Sequence, residues 1–519
     1  MMFFLQSCQK NSSTKNKQLK ISFYSDPQTA DPRKSGDLIS STLIIMLNNG
    51  LTLKENGQLK LAIAKSYEIS EDGKEYTFHL RDCYWSDGVK ITAYDFEKSW
   101  KKVIDPNFPS LCPQLFYPIK NAEKAAKGEV DANEVDIHAL DAKTLKVILE
   151  NPTPYFLSLT SSLVYYPTPS HIVEKDPNWA TYKNKKLVTN GPFILSKWDS
   201  NRSILLEKNP MYWNKQNIKL DSIHISIIND ENTALQMFQL GKLDLLGTAI
   251  SPLPIDSIPT LKNQKALKSY EIAGSTFCTF NTTKFPFNNK KIRQAFSMTI
   301  KREDIVNEIT QLNEPAASRI FPPVLMNGKN RQIIESYNLQ KAKQLFEEGL
   351  NELNAKAKDI KLTFSITSSN SEKKLAETLQ EHWQKAFNIK INIEKSDSKT
   401  MLERFHKHDY QFGLRIWLVQ YFDAMNILER FKYKNHPKNF PNWENQNYIE
   451  LLDKAICSND IYLREKILEK AEDILADEMP ITPIYHWKYA TLVNPRIKNA
   501  NIGPIGDLAF ERIIIEDEN

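Results

Sequence analysis

The sequence predicts an α/β protein of two or three domains, and three observations predict it. At 519 residues the chain is longer than one hydrophobic core organises. Hydrophobic residues at 41% and aromatics at 10% are those of a globular protein. Segments of period-two alternation are interleaved with segments of helical spacing, so strands and helices follow one another rather than segregate. The net charge of +5 is small for this size, and no basic stripe interleaves with aromatics, which argues against a nucleic-acid partner.

Residues 19–24 alternate as a short strand, and Asp26-Pro27 and Asp31-Pro32 punctuate the turn after it. Residues 40–49 carry apolar side chains at helical spacing. Asp72-Gly73 is a tight-turn dipeptide, and Tyr76, Phe78 and Leu80 alternate as the second arm of a hairpin. Asp87-Gly88 marks another turn, and Thr92 is placed to cap a helix with Asp95 in its first turn. Residues 223–228 form a strand, 231–240 a helix stopped by Gly241, and 243–246 the next strand; this βαβ pattern predicts a parallel pair. Residues 361–366 are a strand, and Ser369-x-x-Glu372 reads as a capping box. Leu375, Leu379, Trp383, Ala386 and Phe387 make the apolar face of the helix it opens, and 389–393 is the strand that follows. Residues 463–475 form a late helix before Pro480, and 484–493 a final strand.

The stretch 410–426 stands apart. Tyr410, Phe412, Leu414, Ile416 and Leu418 alternate with Gln411, Gly413, Arg415 and Trp417, so the apolar set is expected to face a core. The opposite face carries a guanidinium and an indole, which suggests a pocket wall. It runs into Gln420-Tyr421-Phe422-Asp423, two polar groups among two aromatics.

The five cysteines are scattered without zinc-like spacing. Leu5-Gln6-Ser7-Cys8 resembles a bacterial lipobox, which makes Cys8 an expected lipidation site with residues 9–18 as a tether. The apolar run before it is shorter than the roughly 7–15 residues of a signal peptide, which leaves a truncated start or a chance match open. His406-Lys-His408-Asp409 reads as a solvated turn rather than a metal pair. With no G-x-S-x-G, phosphate-cradling glycine loop or H-E-x-x-H, neither an enzyme nor a metal or other cofactor is predicted.

One ordered set of motifs carries a resemblance. Ala64-Lys-Ser-Tyr67, Asp72-Gly73, Tyr76-Thr-Phe-His-Leu-Arg81, Trp85-Ser-Asp-Gly88, Thr92-Ala-Tyr-Asp95-Phe96 and Ser99-Trp100 occur in that order. Asn190-Gly-Pro-Phe193, Asn209-Pro-Met-Tyr-Trp213, Pro286-Phe-Asn and Ile292-Arg-Gln-Ala295 follow. Together they are similar to the oligopeptide/dipeptide-binding family of ABC-importer solute-binding proteins, from about Ile21 to Ile513. The resemblance implies a periplasmic-binding-protein-like α/β fold: two hinged lobes with mixed sheets plus a small insert domain. Lobe 1 would be 19–48, 173–273 and 489–519, the insert 49–172, and lobe 2 274–488, after a lipoprotein remnant and tether at 1–18. Such a protein binds rather than catalyses. Its lobes close on an extended peptide, pairing main chain with main chain. The partners implied are a peptide, permease and ATPase subunits, and a membrane reached by a lipid anchor; the protein would be a monomer in the periplasm or cell envelope.

The resemblance also implies site residues. Trp417 and Tyr421 match a family pattern whose carboxylate pairs with the peptide ammonium, but Gln420 stands at the carboxylate position. Asp423 is the expected substitute. A disulfide of some relatives is missing at both ends, Leu418 and about Gly274. Glu372 stands where a histidine meets the ligand's carboxyl end in some members, and would welcome a cation there. Tyr485 and His486 fall at the second crossing, Phe116 and Tyr117 where the insert reaches the ligand, and Arg404 and Arg415 are carboxylate candidates. The departures leave a modified or muropeptide-like peptide, a metal chelate or a sugar as alternative solutes, and a sensor or chaperone-like module as an alternative role.

Overall fold

The computed structural model describes residues 17–55, 57–181, 187–326, 328–329, 331–458 and 460–516. Cys8 therefore lies outside the described residues, as does nearly all of its tether.

One four-stranded sheet is ordered Gln18–Phe23, Ser222–Ile227, Ser203–Lys208, Phe193–Asp199. The first pair is parallel and the rest antiparallel. Leu19, Ile21 and Phe23 alternate into a core with Ile204, Leu206, Ile223 and Ile225, all at most 2% exposed. Helix Leu38–Leu47 covers that core and is capped by Asp37, whose carboxylate accepts the Ser40 N–H at 2.8 Å. The expected parallel partner of Ser222–Ile227 is not the segment after helix Glu231–Gln239. The N-terminal strand takes that place. The following segment is held to it by Asp244, whose N–H donates to Lys20 O at 2.7 Å and whose carboxylate accepts the Lys20 N–H at 2.8 Å. Leu245–Leu246 then pairs antiparallel with the last long strand.

A second four-stranded sheet is ordered Ala64–Ile69, Glu75–Leu80, Thr144–Ile148, Ile137–Ala139. Gly73 turns its hairpin at φ +71. Helix Ala93–Ile104 packs Phe96 and Trp100 beneath the sheet, and Thr92 N–H donates to Asp95 at 2.9 Å, closing its first turn.

The third sheet joins the two lobes. Its order is Leu245–Leu246, Ile481–Val493, Lys268–Phe280, Phe412–Leu418, Lys361–Thr367, Lys390–Ser396. The two crossing strands have 13 residues each and pair antiparallel from Lys268↔Thr491 to Thr279↔Ile481. At about 3.3 Å per residue each spans roughly 40 Å, enough to serve both lobes. Their register slips between Glu271 and Ser275, and again between Thr276 and Phe277, where Pro483 lacks an N–H to give. Both irregularities therefore fall in the middle of the paired crossing strands. Helix Asn370–Phe387 covers the far end of the sheet with Leu379 and Trp383 fully buried, as its periodicity predicts. Glu372 reaches back from its first turn to the Thr367 N–H at 2.8 Å. The largest apolar cluster runs from the second sheet, through Trp85, Trp100 and Tyr165, into Trp417, Tyr421 and Ile481.

Candidate functional site

The strand Phe412–Leu418 is paired along the whole of one edge and only in part along the other. Its pairing with Lys268–Phe280 runs from Gly274↔Leu418 to Phe280↔Phe412, whereas its pairing with Lys361–Thr367 covers only Phe364↔Phe412 and Ser365↔Gly413. Val419 N–H donates to Ala273 O at 3.1 Å. In an antiparallel ladder this makes Ser275↔Trp417 a mutually bonded pair and leaves the groups of Ile416 and Leu418 pointing the other way. The N–H and C=O of Ile416 and the N–H of Leu418 thus face the open edge.

The face assignment of this strand changes at the lobe junction. Phe412 and Leu414 enter a core with Phe364, Leu379 and Trp383 as expected, but Ile416, in the same alternation, is 51% exposed. On the opposite face Trp417 is only 3% exposed, its ring 4.3 Å from Phe277. Trp417 is therefore a buried support, and Ile416 is the exposed side chain on the strand with the open edge; Thr276 and Tyr485 continue its face across the two crossing strands, on the side away from that edge. Gly274 and Leu418 are direct cross-strand neighbours, so the missing disulfide is missing from one cross-strand pair. In its place Trp487 packs on the glycine: a Cβ at 274 would lie 2.6 Å from its ring. Its Nε1 donates to Thr276 Oγ1 at 3.0 Å.

The remaining candidates separate into those at the junction and those committed elsewhere. Gln420 is half-buried, donating from Nε2 to Cys112 Sγ at 3.1 Å and accepting from Lys438 Nζ at 2.9 Å. Tyr421 is fully buried and stacks on Tyr155, 5.1 Å between ring centres and 6° between planes. Asp423 does not supply a counter-charge to a ligand. Arg464 binds both its oxygens at 2.8 Å, and Oδ1 also accepts the Met425 N–H. Arg404 is likewise spent, on Glu394 at 2.6 Å and on Asp409 O at 3.2 Å. Arg415 lies over Phe405 and Phe440, 5.2 and 4.8 Å from their centres, with Nε buried and without an acceptor among the described residues. Glu372 is close enough that its charge acts on both Arg415 and Tyr485. His486 is buried, with Nδ1 2.7 Å from Ser275 Oγ, a tie between the crossing strands rather than a cleft wall. Burial, with Arg319 nearby, pushes its pKa down to about 3, so it is neutral. Phe116 points into its own core, stacked on Tyr165 at 4.0 Å, and Tyr117 is half-buried beside it. Cys112, a few residues earlier, is what touches Gln420.

Sequence reasoning missed Lys438, Cys112, Arg430, Glu429 and Tyr155. Lys438 is half-buried, and burial together with Arg430 brings its pKa down to about 8. Arg430 donates to Asn426 Oδ1 at 3.0 Å and to Leu418 O at 3.4 Å. Burial pushes Glu429 up to about 7. No motif marks these residues; Lys438 and Cys112 touch Gln420 itself, while Arg430 holds Asn426 and Leu418, and Tyr155 and Glu429 act on Tyr421.

A protein-family model for bacterial extracellular solute-binding proteins, family 5, matches residues 58–439. The oligopeptide-binding protein OppA of Bacillus subtilis is 36% identical over 498 residues, 95% of this chain and 91% of that protein. The dipeptide-binding protein DppE of the same organism is 32% identical over 96% of this chain and 92% of that one. Among solved structures, a periplasmic oligopeptide-binding protein of Borrelia burgdorferi superposes with a TM-score of 0.85 at 28% identity, covering 96% of this chain and 100% of that one. Listeria monocytogenes OppA bound to peptide gives 0.81 at 26% identity, with 97% and 100% covered.

Proposed function

Because the chain belongs to the family 5 bacterial extracellular solute-binding proteins, we propose that it captures oligopeptides between its lobes and hands them, unaltered, to the permease and ATPase subunits of an importer. The observation that carries this reading is the open edge at Ile416 and Leu418. A strand edge in a cleft recognises an extended main chain by hydrogen bonds that every peptide offers, so length and polarity are read more strictly than side chains. Ile416, 51% exposed, stands at that edge, and Tyr485, half-buried, lies on the same face two strands away, so water is left to complete the space around differing ligand side chains. The bends at Glu271–Ser275 and at Pro483 are the flexure about which the lobes would close.

In this reading lobe 1 comprises 19–48, 173–273 and 489–519, the insert 49–172 and lobe 2 274–488. No helix among the described residues is long and apolar enough to cross a membrane. Lipidation at Cys8 would then tether a monomeric receptor in the cell envelope. No reaction is assigned to it. Native mass spectrometry of the purified protein tests the proposal. A retained mixture of short peptides is expected, and a single non-peptide solute, or a substrate turned over on incubation, would overturn it.

A further inference from the structure

The open edge has a built stop. Beyond Leu418, Arg430 Nη2 approaches the Leu418 carbonyl at 3.4 Å and Asn426 Oδ1 accepts the Gln420 N–H at 3.1 Å. A strand laid along Ile416–Leu418 ends there, beside the Gln420 side chain. That side chain is already engaged: its amide N–H meets Cys112 and its carbonyl accepts from Lys438. An ammonium has three donor hydrogens, and Lys438 Nζ has one acceptor among the described residues. Two donors are left for an incoming group, with the Arg430 guanidinium adding positive charge behind them. The neighbouring acids do not reverse that sign. Asp423 is neutralised by Arg464, and Glu429 is buried and drawn toward its neutral form. Where an ammonium subsite needs an anion, the chain places its own ammonium.

We propose that the ligand terminus seated beside Gln420 is an oxygen acceptor, a carbonyl or a carboxylate, received by Lys438 Nζ, and that a free α-ammonium is rejected there. This rests on the peptide reading above. Two sources present the chemistry: the acyl group of an N-blocked peptide, or the terminal carboxylate of a peptide lying in the opposite direction along the edge.

Competition separates them. Wild-type protein is incubated with equimolar pools of mixed-sequence tetra- and pentapeptides in free, N-acetylated and C-amidated forms, and bound species are counted by native mass spectrometry. Enrichment of N-acetylated over free peptide by tenfold or more identifies the acyl source. Equal retention of those two with tenfold loss on C-amidation identifies the carboxylate source. Preference for the free amine, or threefold or smaller differences throughout, overturns the inference while leaving the peptide reading intact. Binding of no pool overturns the peptide reading itself. Lys438→Met is expected to abolish the preference, with Lys438→Gln as a second variant and circular dichroism to confirm folding; a preference that survives both overturns the assignment to Lys438. Gln420→Asp alone is expected to gain nothing for free amines, since Lys438 would pair with the new carboxylate. The double variant Gln420→Asp/Lys438→Met is expected to gain tenfold or more.

Discussion

Closure of the lobes is expected to depend on Tyr155, a residue on the insert that touches nothing in the open edge. The residue is 7% exposed, its ring stacks on Tyr421 at 5.1 Å, and the Arg464 guanidinium lies 5.5 Å from its ring centre. Tyr155→Ala removes an aromatic pair worth about 0.5–1.5 kcal/mol beyond its buried area. Deleting a ring from a sealed core costs about 3–5 kcal/mol. A gap between lobes refills with water when the lobes part, so a loss of about 2–3 kcal/mol is expected for the closed form alone. Binding that requires closure then weakens by about 30- to 150-fold. Isothermal titration with a peptide identified by native mass spectrometry measures the affinity, and small-angle scattering reports whether ligand still compacts the variant. Affinity within threefold of wild type, in a variant that melts normally, would refute the view that the Tyr155–Tyr421 stack belongs to the closed state.

Three further outcomes are expected. Glu472 is fully buried, binds Arg319 and accepts the Ile320 and Phe321 N–H groups at 3.0 Å. Glu472→Ala strands a buried guanidinium and should lower stability by about 3–5 kcal/mol, read as a drop in melting temperature, while Glu469→Ala should not. His486, near 3 when folded against an ordinary 6.5, contributes stability that is fully present above pH 6.5 and is lost as pH falls toward 3. Melting temperature should therefore decline from pH 6.5 to 5, and His486→Asn should flatten that decline; Glu429, raised to about 7, works in the opposite sense, and an unchanged slope in the variant would count against the histidine. Cys112 is buried against Gln420 whereas Cys457 is exposed, so peptide-level mass spectrometry should show ligand slowing alkylation of Cys112 and not of Cys457.

Strands and helices were largely legible because their signals are local. Alternation in 361–366 and in 484–493 marks strands that the structure extends by a few residues, and the Thr92–Asp95 cap forms as read. The βαβ segment was legible as elements but not as a pairing. The N-terminal strand arrives beside Ser222–Ile227 from some 200 residues away, and no local pattern encodes that competition. The site was legible in outline only. Gln420 and Tyr421 do meet Cys112 and Tyr155 from far along the chain, yet alternation assigned Ile416 to a core and Trp417 to the opposite face, and it is Trp417 that is buried and Ile416 that is exposed. Period two states that the faces differ; which face is covered depends on where helices and the other lobe stop.

The sequence by itself therefore determined the α/β class, the family and the absence of a carboxylate at Gln420, since each is written in residue identity and short spacing. Only the tertiary structure decided the charge at that place. Asp423, three residues away, is spent on Arg464, while Lys438, eighteen residues away, arrives with its ammonium. Electrostatics acts through space, and the neighbours that set its sign at Gln420, Lys438 and Arg430, lie 18 and 10 residues farther along the chain, beyond the reach of any local pattern.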